Sequence, residues 1–296
     1  MKSNDTYLNL LASFAYLGKQ KPFCEKIFNE SKNGNVNLMI DSGAFTLFNA
    51  KDKSSWLTLD NYCSFLETYG YLSEKYVMLD VIGNDEKSKE NYEIMLNRGF
   101  NPMFVFTMAD NDFEYLKNAV DNNPHLCVAG GVTTKGDWMT KRFQDVYKKT
   151  QAKIHGLGYV TYPKIFQLPL ASVDSSSWIQ APAVFGTINY FENGLKSIRY
   201  IDILKGQKKM PKKLMEMLEM VKITPKQFSN LENHKGGRSI AILLSVIAYV
   251  EYQKLAKTQD LNLFLAVANE DQLNSILDAN EQIISGIYSY EKFKAK

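Results

Sequence analysis

The sequence predicts a mixed α/β protein built as a (β/α)8 barrel of the TIM type, with a basic helical insertion in its C-terminal part. Short apolar runs alternate with amphipathic segments from the N-terminal region to about residue 185. Strands separated by helices pair in parallel, because each returning helix covers a face of the sheet. Six or more such units favour a barrel, although their spacing also fits a doubly wound sheet; no G-x-G-x-x-G turn follows a strand.

Apolar runs of strand length define the predicted sheet. The run from Leu8 to Leu17 is predicted to be the first buried element rather than a signal peptide, because Asn9 interrupts it and no small-residue cleavage pattern follows. The further predicted strands are Val36–Ile40, Tyr76–Leu79, Met103–Phe106, Leu126–Ala129, Lys153–Leu157 and Leu170–Val173. The connection between the last two strands has room only for a turn or two around Tyr162–Phe166.

Helices are predicted between these strands from apolar residues three and four positions apart. The first of these helices is predicted to have Thr58 as its N-cap and Gly70 at its C′ position. The second, over about 86–98, is predicted to be capped by Asp85 and stopped by Gly99. Two more apolar stripes mark the helices that follow: Phe113, Leu116 and Val120, then Met139, Phe143, Val146 and Tyr147.

The alternation loosens in the C-terminal part, where residues 190–235 are predicted to be a basic insertion in a single domain spanning 1–296. Five lysines fall between Lys205 and Lys213, and they lead into an apolar stripe typical of a helix over 214–221. The last strong helix is predicted from about Arg238 to Lys257.

Composition is that of an ordinary globular protein, with 45% hydrophobic and 23% charged residues. A net charge of +3 is too small to indicate a nucleic-acid binder, so any basic surface must come from local clustering. The three cysteines are far apart, which argues against a disulfide framework and predicts a reducing, cytoplasmic location. The longest apolar stretch, Ile240–Val250, is too short to cross a bilayer, so no membrane partner is predicted.

Polar residues follow the predicted strands at the ends where a parallel barrel places its chemistry. Asp41, Asp80 and Asp174 each come directly after an apolar run. Any one of them also fits a turn or a helix cap. Three carboxylates at one barrel mouth, however, are costly unless they bind a cation or a donor-rich ligand, or transfer protons. The sequence therefore predicts one functional site that contains all three.

The residues around these aspartates favour organic chemistry over a metal. The three histidines have no metal-binding spacing, so no metal and no cofactor is predicted, although three aspartates are also a possible Mg²⁺ set. Phe45 and Tyr159 are suited to stack on a flat ring. The pattern indicates glycosyl or acyl transfer with an aspartate as nucleophile.

Four runs carry a family resemblance, in this order: Asp41-Ser42-Gly43-Ala44-Phe45, Gly130-Gly131-Val132, His155-Gly156-Leu157-Gly158 and Val173-Asp174-Ser175. They resemble the D-S-G-G-[FY], G-G-L, M-G-[VL]-G and nucleophile segments of the tRNA-guanine transglycosylase superfamily. Within it, the chain is most similar to the shorter phage and bacterial DNA-guanine transglycosylases, which insert 7-deazaguanines into DNA. The chain departs from these motifs at Ala44, in place of a glycine, and at His155, in place of a methionine. The resemblance covers about residues 36 to 180.

The resemblance implies a role for each aspartate. Asp174 is the implied nucleophile that attacks C1′ of the target nucleotide and expels guanine, while Asp41 transfers protons to the leaving base and from the incoming base. The implied base-binding residues are Asp80, Ser42, Phe45, Gly130, Gly131, Leu157 and Tyr159. Asp80 accepts hydrogen bonds from the guanine edge, and the incoming partner is a free 7-deazaguanine base of the preQ0 type.

The implied polymer is DNA, with tRNA as the alternative. Family members that act on tRNA carry a C-x-C-x-x-C…H zinc site beyond the nucleophile, but no cysteine follows Cys127 here. The basic insertion is therefore expected to replace the zinc subdomain, without structural zinc. The expected contacts to the nucleic-acid backbone are Lys208, Lys209, Lys212, Lys213, His234, Lys235 and Arg238. The same charges also fit a solvated helix face and a glycine-rich turn.

Four functions stay open at this point. A DNA-guanine transglycosylase, in the cytoplasm of a host if phage-encoded, is the preferred one. A zinc-free tRNA-guanine transglycosylase is the second. A non-catalytic barrel that binds nucleic acid or another subunit is the third, and a small-molecule glycosidase or Mg²⁺-dependent aldolase-type barrel is the fourth.

Overall fold

Strands and helices alternate along the part of the chain that the computed structural model describes, which comprises residues 8–50, 56–130, 138–229 and 236–286. Side chains are not described at 225 and 236–239. The internal contacts divide the chain into two units. The first extends to Ser175 and resumes at Gln259–Asn269, and the second comprises Ser176–Thr258 and continues from Glu270.

The described strands, in chain order, are β1 (Leu8–Ser13), β2 (Val36–Asp41), β3 (Lys75–Tyr76), β4 (Phe104–Thr107), β5 (His125–Ala129), β6 (Lys153–Leu157), β7 (Leu170–Ser175), β8 (Thr187–Phe191), β9 (Leu195–Arg199) and β10 (Asn262–Val267). Among these, eight form one parallel sheet in the order β3-β2-β1-β10-β7-β6-β5-β4, and β8 and β9 form an antiparallel hairpin. Neighbouring strands of the sheet follow one another in the chain from β1 to β3 and from β4 to β7, and β10 lies between β1 and β7.

The described α-helices are α1 (Phe14–Leu17), α2 (Lys21–Lys32), α3 (Ala44–Asn49), α4 (Leu59–Tyr69), α5 (Asp85–Asn97), α6 (Phe113–Asn122), α7 (Trp138–Thr150), α8 (Ser177–Phe185), α9 (Tyr200–Leu204), α10 (Lys212–Met220), α11 (Pro225–Ser229), α12 (Gly236–Lys257) and α13 (Glu270–Ser285). Short 3-10 turns occupy Gly70–Leu72 and Lys164–Gln167. The prediction of a mixed α/β protein with a largely parallel sheet is confirmed. None of the helices described here combines the length and the apolar character that crossing a bilayer requires.

Several strands of the parallel sheet are buried on both faces, which is why β1, β2 and β4 are rich in apolar residues. Every residue of β1 is buried, and the side chains at the centres of β5 and β6 are buried as well. On the helix side, Tyr62 of α4 donates to the Val77 carbonyl oxygen at 2.7 Å, and Tyr92 of α5 packs edge-on against Phe104 of β4. The first of these contacts restrains the segment that leads to Asp80.

Several predicted boundaries agree with the structure and others are wrong. Thr58 is the N-cap of α4, and its hydroxyl accepts from the Asn61 amide, as predicted. Gly70, however, has a φ of −57° and continues into the 3-10 turn, so it is not a left-handed C′ residue. The cap of α5 is Asn84 instead of Asp85, whereas Gly99 has a φ of +84° just after the helix, as a stop residue should.

The second unit contains α8, the β8–β9 hairpin and α12. Within it, the amide of buried Asn189 on β8 donates to the Ser245 hydroxyl of α12 at 3.1 Å. Asp202 is also buried, and its carboxylate pairs with Arg199 at 2.7 Å and Lys208 at 3.4 Å. The described part of the predicted insertion 190–235 belongs to this unit, which begins earlier, at Ser176.

Candidate active site

Three aspartates lie at the carboxyl ends of strands in the first unit. Asp41 is the last residue of β2, Asp174 is the last but one of β7, and Asp80 follows β3. Their charges act on one another, because the charge of Asp174 raises the pKa of Asp41 and the charge of Asp41 raises the pKa of Asp80. Buried Cys127, on β5, has its pKa raised first by burial and then by all three carboxylates. The structure therefore brings the three aspartates to one end of the sheet.

One oxygen of the Asp174 carboxylate is held by two neighbours. The Gly158 amide donates to Oδ1 at 2.7 Å, and His155 Nε2 lies 3.3 Å from the same atom. Within the described chain, no hydrogen bond falls on Oδ2. The Asp174 side chain is 13% exposed, so it can be reached from outside the sheet. The carboxylate is thus restrained at Oδ1, whereas Oδ2 has no hydrogen bond within the described chain.

The contact between His155 and Asp174 depends on an irregularity between β6 and β7. Ile154 pairs with Leu170, but His155 pairs with Ser172, so that Ala171 is an extra residue on β7. Without this extra residue the register would move by one position and turn Asp174 to the opposite face of the sheet from His155. The bulge therefore places His155 and Asp174 on the same face.

Asp41 lies in a pocket of backbone and hydroxyl donors. The Gly43 amide donates to Asp41 Oδ2 at 3.0 Å, and the Ser13 hydroxyl of the neighbouring strand hydrogen-bonds the same carboxyl group. Burial, followed by the charge of Asp174, nevertheless raises the pKa of Asp41. A carboxyl group with a raised pKa can hold a proton closer to neutral pH, which is what a proton-transfer residue requires.

Gly43 cannot be replaced without strain, because its φ is +91° and a Cβ atom would lie 2.7 Å from the Ala15 Cβ. The Asp-Ser-Gly run is therefore more than a generic turn: the glycine lets the chain bend sharply after β2, and its amide restrains Asp41. Ser13, in contrast, was not among the predicted site residues. Ser13 becomes recognisable as a site residue only from the pairing of β1 with β2, which places Ser13 beside Asp41.

Asp80 is carried by a segment that α5 holds in place. The Ser88 hydroxyl accepts from the Val81 amide at 2.8 Å, and the Asn91 side chain donates to the Leu79 carbonyl oxygen at 2.9 Å. Burial, followed by the charge of Asp41, raises the pKa of Asp80 from 3.8 to about 7. This carboxyl group therefore changes its charge near neutral pH.

We expect Asp80→Asn to stabilise the chain at alkaline pH. Because the folded state raises the pKa of Asp80, the folded chain keeps a proton that the unfolded chain loses, so stability falls as pH rises from about 4 to about 7. The fall amounts to at most about 4 kcal/mol, and to less where solvent screens the partly exposed group. Because asparagine cannot ionise, the Asp80→Asn variant should not show this loss of stability.

Urea unfolding near pH 4 and near pH 8 measures this effect. The gain of Asp80→Asn over wild type should be larger at the higher pH, whereas Asp121→Asn, on the exposed surface of α6, should give the same small difference at both. An Asp80→Asn difference that does not depend on pH would show that the carboxyl group titrates normally.

The other predicted base-binding residues occupy different surroundings. Phe45 is 64% exposed on α3, and Leu157 is partly exposed at the end of β6. Partly exposed Tyr159 packs edge-on against Phe143, with ring centroids 5.1 Å apart. Ser42 is fully buried, and its hydroxyl has no hydrogen-bond partner among the described atoms. Gly130 is exposed after β5, and Gly131 lies outside the described residues.

The predicted backbone-binding lysines differ in their availability. Lys208 pairs with Asp202, and Lys212 lies 3.7 Å from Glu216. Lys213 is partly buried near Glu251, whereas Lys209 is exposed and makes no ion pair within the described chain. His234 and Lys235 lie outside the described residues, as does the side chain of Arg238.

Metal binding has no support in the described part of the chain, where no group of three or more histidine, cysteine, aspartate or glutamate side chains is arranged to hold an ion. Fold and site together define a parallel α/β protein with a carboxylate-rich strand edge. Searches against models of protein families and against curated proteins find no match for this chain.

Proposed function

We propose that this chain is a DNA-guanine transglycosylase, which exchanges guanine in DNA for a 7-deazaguanine base through a glycosyl intermediate bonded to Asp174. The arrangement of Asp174 carries the proposal. Gly158 and His155 hold one oxygen of its carboxylate, and the other oxygen has no hydrogen bond within the described chain. Asp41 is near enough that the charge of Asp174 raises the pKa of Asp41. This is the arrangement expected of an oriented nucleophile beside a proton-transfer group.

In the first half-reaction, Asp174 Oδ2 bonds to C1′ while the bond between C1′ and guanine N9 breaks. The electron pair of that bond leaves with the base, and Asp41 supplies a proton to it. In the second, the incoming base loses its N9 proton to Asp41 and bonds to C1′, which releases the Asp174 carboxylate. Two displacements at one carbon restore the original configuration, as in retaining glycosidases.

Asp80 supplies the base specificity in this proposal. Its ionised carboxylate would accept hydrogen bonds from guanine N1–H and from the exocyclic amine, a pair of donors that adenine does not present. Phe45 and Leu157, or Tyr159 instead of Phe45, would cover the faces of the ring. The target base must leave the helical stack first, which costs a few kcal/mol and less in a single strand.

The preference for DNA comes from the C-terminal part of the chain. No cysteine follows Cys127, so the zinc subdomain of tRNA-acting relatives has no ligands here. We propose that the basic insertion, residues 190–235, replaces the zinc subdomain and contacts the phosphate backbone through lysines such as the exposed Lys209.

We also propose that the parallel sheet closes into a (β/α)8 barrel. A parallel bridge between Val77, which follows β3, and Met103, which precedes β4, supports closure, because β3 and β4 are the two ends of the sheet order. The Met78 amide donates to the Met103 carbonyl oxygen at 3.1 Å, and the Met103 amide donates to Tyr76 at 2.9 Å.

Incorporation of labelled guanine, or of 7-cyano-7-deazaguanine, into DNA and into tRNA tests the function. We expect label in DNA and none in tRNA, and mass spectrometry of the nucleosides should identify the inserted base. Label in tRNA alone would replace the proposal with a zinc-free tRNA-guanine transglycosylase. An EDTA-sensitive activity on a free sugar would instead indicate a small-molecule enzyme.

A serine hydrolase is the other reading of a Ser172, His155 and Asp174 cluster, but strand direction disfavours it. Ser172 precedes Asp174 by two residues on β7, so it lies farther from the carboxyl edge of the sheet, where substrates enter. A nucleophilic serine would have to lie at that edge.

A further inference from the structure

We propose that His155 is a positioning residue for the nucleophile, which holds Asp174 Oδ1 and so leaves Oδ2 as the oxygen that bonds to the sugar. This inference rests on the proposed function. His155 stands where the M-G-[VL]-G pattern has a methionine, whose side chain has no hydrogen to donate, and its Nε2 lies 3.3 Å from Asp174 Oδ1.

The burial of His155 restricts it to an indirect role. The side chain is 1% exposed, so it cannot touch the polymer or a free base. Its ring lies edge-on to Phe264 of β10, with centroids 6.1 Å apart, and its two nitrogens face Ser172 and Asp174. A residue in this position can act on the reaction only through Asp174.

The Asp174 carboxylate selects the tautomer that this role needs, and the Ser172 hydroxyl can adapt to it. The Ser172 hydroxyl oxygen lies 2.8 Å from His155 Nδ1, while the Asp174 carboxylate near Nε2 can only accept. Nε2 therefore carries a hydrogen and donates to Asp174, and in the Nε2–H tautomer Nδ1 accepts from the Ser172 hydroxyl. Assigned in this way, the three side chains satisfy one another.

The two donors on Oδ1 act at both displacements. Before attack they fix the rotation of the carboxylate, so that Oδ2 does not exchange places with Oδ1. Once Oδ2 is bonded to C1′, Oδ1 is the carbonyl oxygen of the ester and still accepts from Gly158 and His155. When the incoming base displaces the carboxylate, the returning negative charge develops next to these donors, which favours its departure.

Kinetics of three variants test the inference. His155→Leu removes the donor, and we expect exchange kcat to fall about 10- to 100-fold, the effect of losing one hydrogen bond to a charged group, with little change in the KM for DNA. His155→Gln, which can present an amide hydrogen to Asp174, should recover most of the loss. His125→Leu is the matched control, because His125 is the first residue of β5 and so lies at the amino-terminal edge of the sheet, away from the aspartates.

Nitrogen-15 NMR of the imidazole rings provides a readout that does not depend on activity. We expect His155 to be the Nε2–H tautomer, and Ser172→Ala to perturb its Nδ1 resonance. Thermal unfolding of each variant distinguishes a loss of folded structure from a loss of the positioning of the Asp174 carboxylate. Unchanged kcat in folded His155→Leu, or an Nδ1–H tautomer, would overturn the inference while the proposed function stands. Absence of exchange by the wild-type chain would overturn the function itself, and the inference with it.

Discussion

Asp174→Asn is expected to abolish guanine exchange, with a loss of at least about 10⁴-fold, the scale seen when a nucleophile is removed from an enzyme that depends on it. The carboxamide cannot form the bond to C1′. Its oxygen can still accept from Gly158 and His155, so the local structure should survive the substitution. Labelled-guanine exchange measures the loss, and intact mass spectrometry of acid-quenched protein with DNA should detect an adduct in wild type alone.

The matched control is Asp121→Asn, which changes the same charge at an exposed position of α6 and should leave exchange and adduct unaltered. Substantial exchange by Asp174→Asn would contradict the covalent mechanism. If neither wild type nor Asp174→Asn exchanges guanine and both bind DNA equally well, the chain is a nucleic-acid-binding protein without this chemistry.

Asp41→Asn should reduce exchange by about 10²- to 10⁴-fold, the usual contribution of a positioned acid–base group. Asparagine keeps an acceptor for the Gly43 amide but cannot transfer a proton. Burial and the charge of Asp174 raise the pKa of Asp41, and in the proposed mechanism its titration forms one limb of the pH dependence of kcat/KM, which the variant should lose. The measurement is kcat/KM for guanine exchange over a range of pH.

The same substitution should also lower the pKa of Asp80, because the charge of Asp41 is the second cause of its increase after burial. Ser13→Ala serves as the comparison, since it removes a hydrogen bond to Asp41 while the carboxyl group remains. We expect it to shift the pH profile without removing a limb. An Asp41→Asn protein with the wild-type rate and profile would exclude Asp41 as the proton-transfer group.

Local patterns were sufficient for most strands of the parallel sheet but insufficient for β10 and for the separate β8–β9 hairpin. The predicted strand Lys153–Leu157 matches β6, and the others differ by one to a few residues at their ends. The β8–β9 hairpin and β10 were not predicted. The run Leu263–Val267 is apolar but short, and such a run fits a strand or a buried helix equally well until its partners, β1 and β7, are known.

For the site, the proximity of the three aspartates was predictable because parallel strands end at a common edge, which brings the residues at those ends near one another. The contacts of His155 with Ser172 and Asp174 were not, because they depend on one extra residue, Ala171, in the pairing of β6 with β7. Ser13 was missed for the same reason: its contact with Asp41 exists only through the register of β1 with β2.

By itself, then, the amino-acid sequence determined the alternation of strands and helices and the strand ends at which the acidic residues lie, since periodicity and chain direction are local properties. The tertiary structure alone decided which oxygen of Asp174 is restrained and that the pKa of Asp80 rises to about 7. Both depend on burial and on neighbours from other strands, and those exist only after the chain has folded.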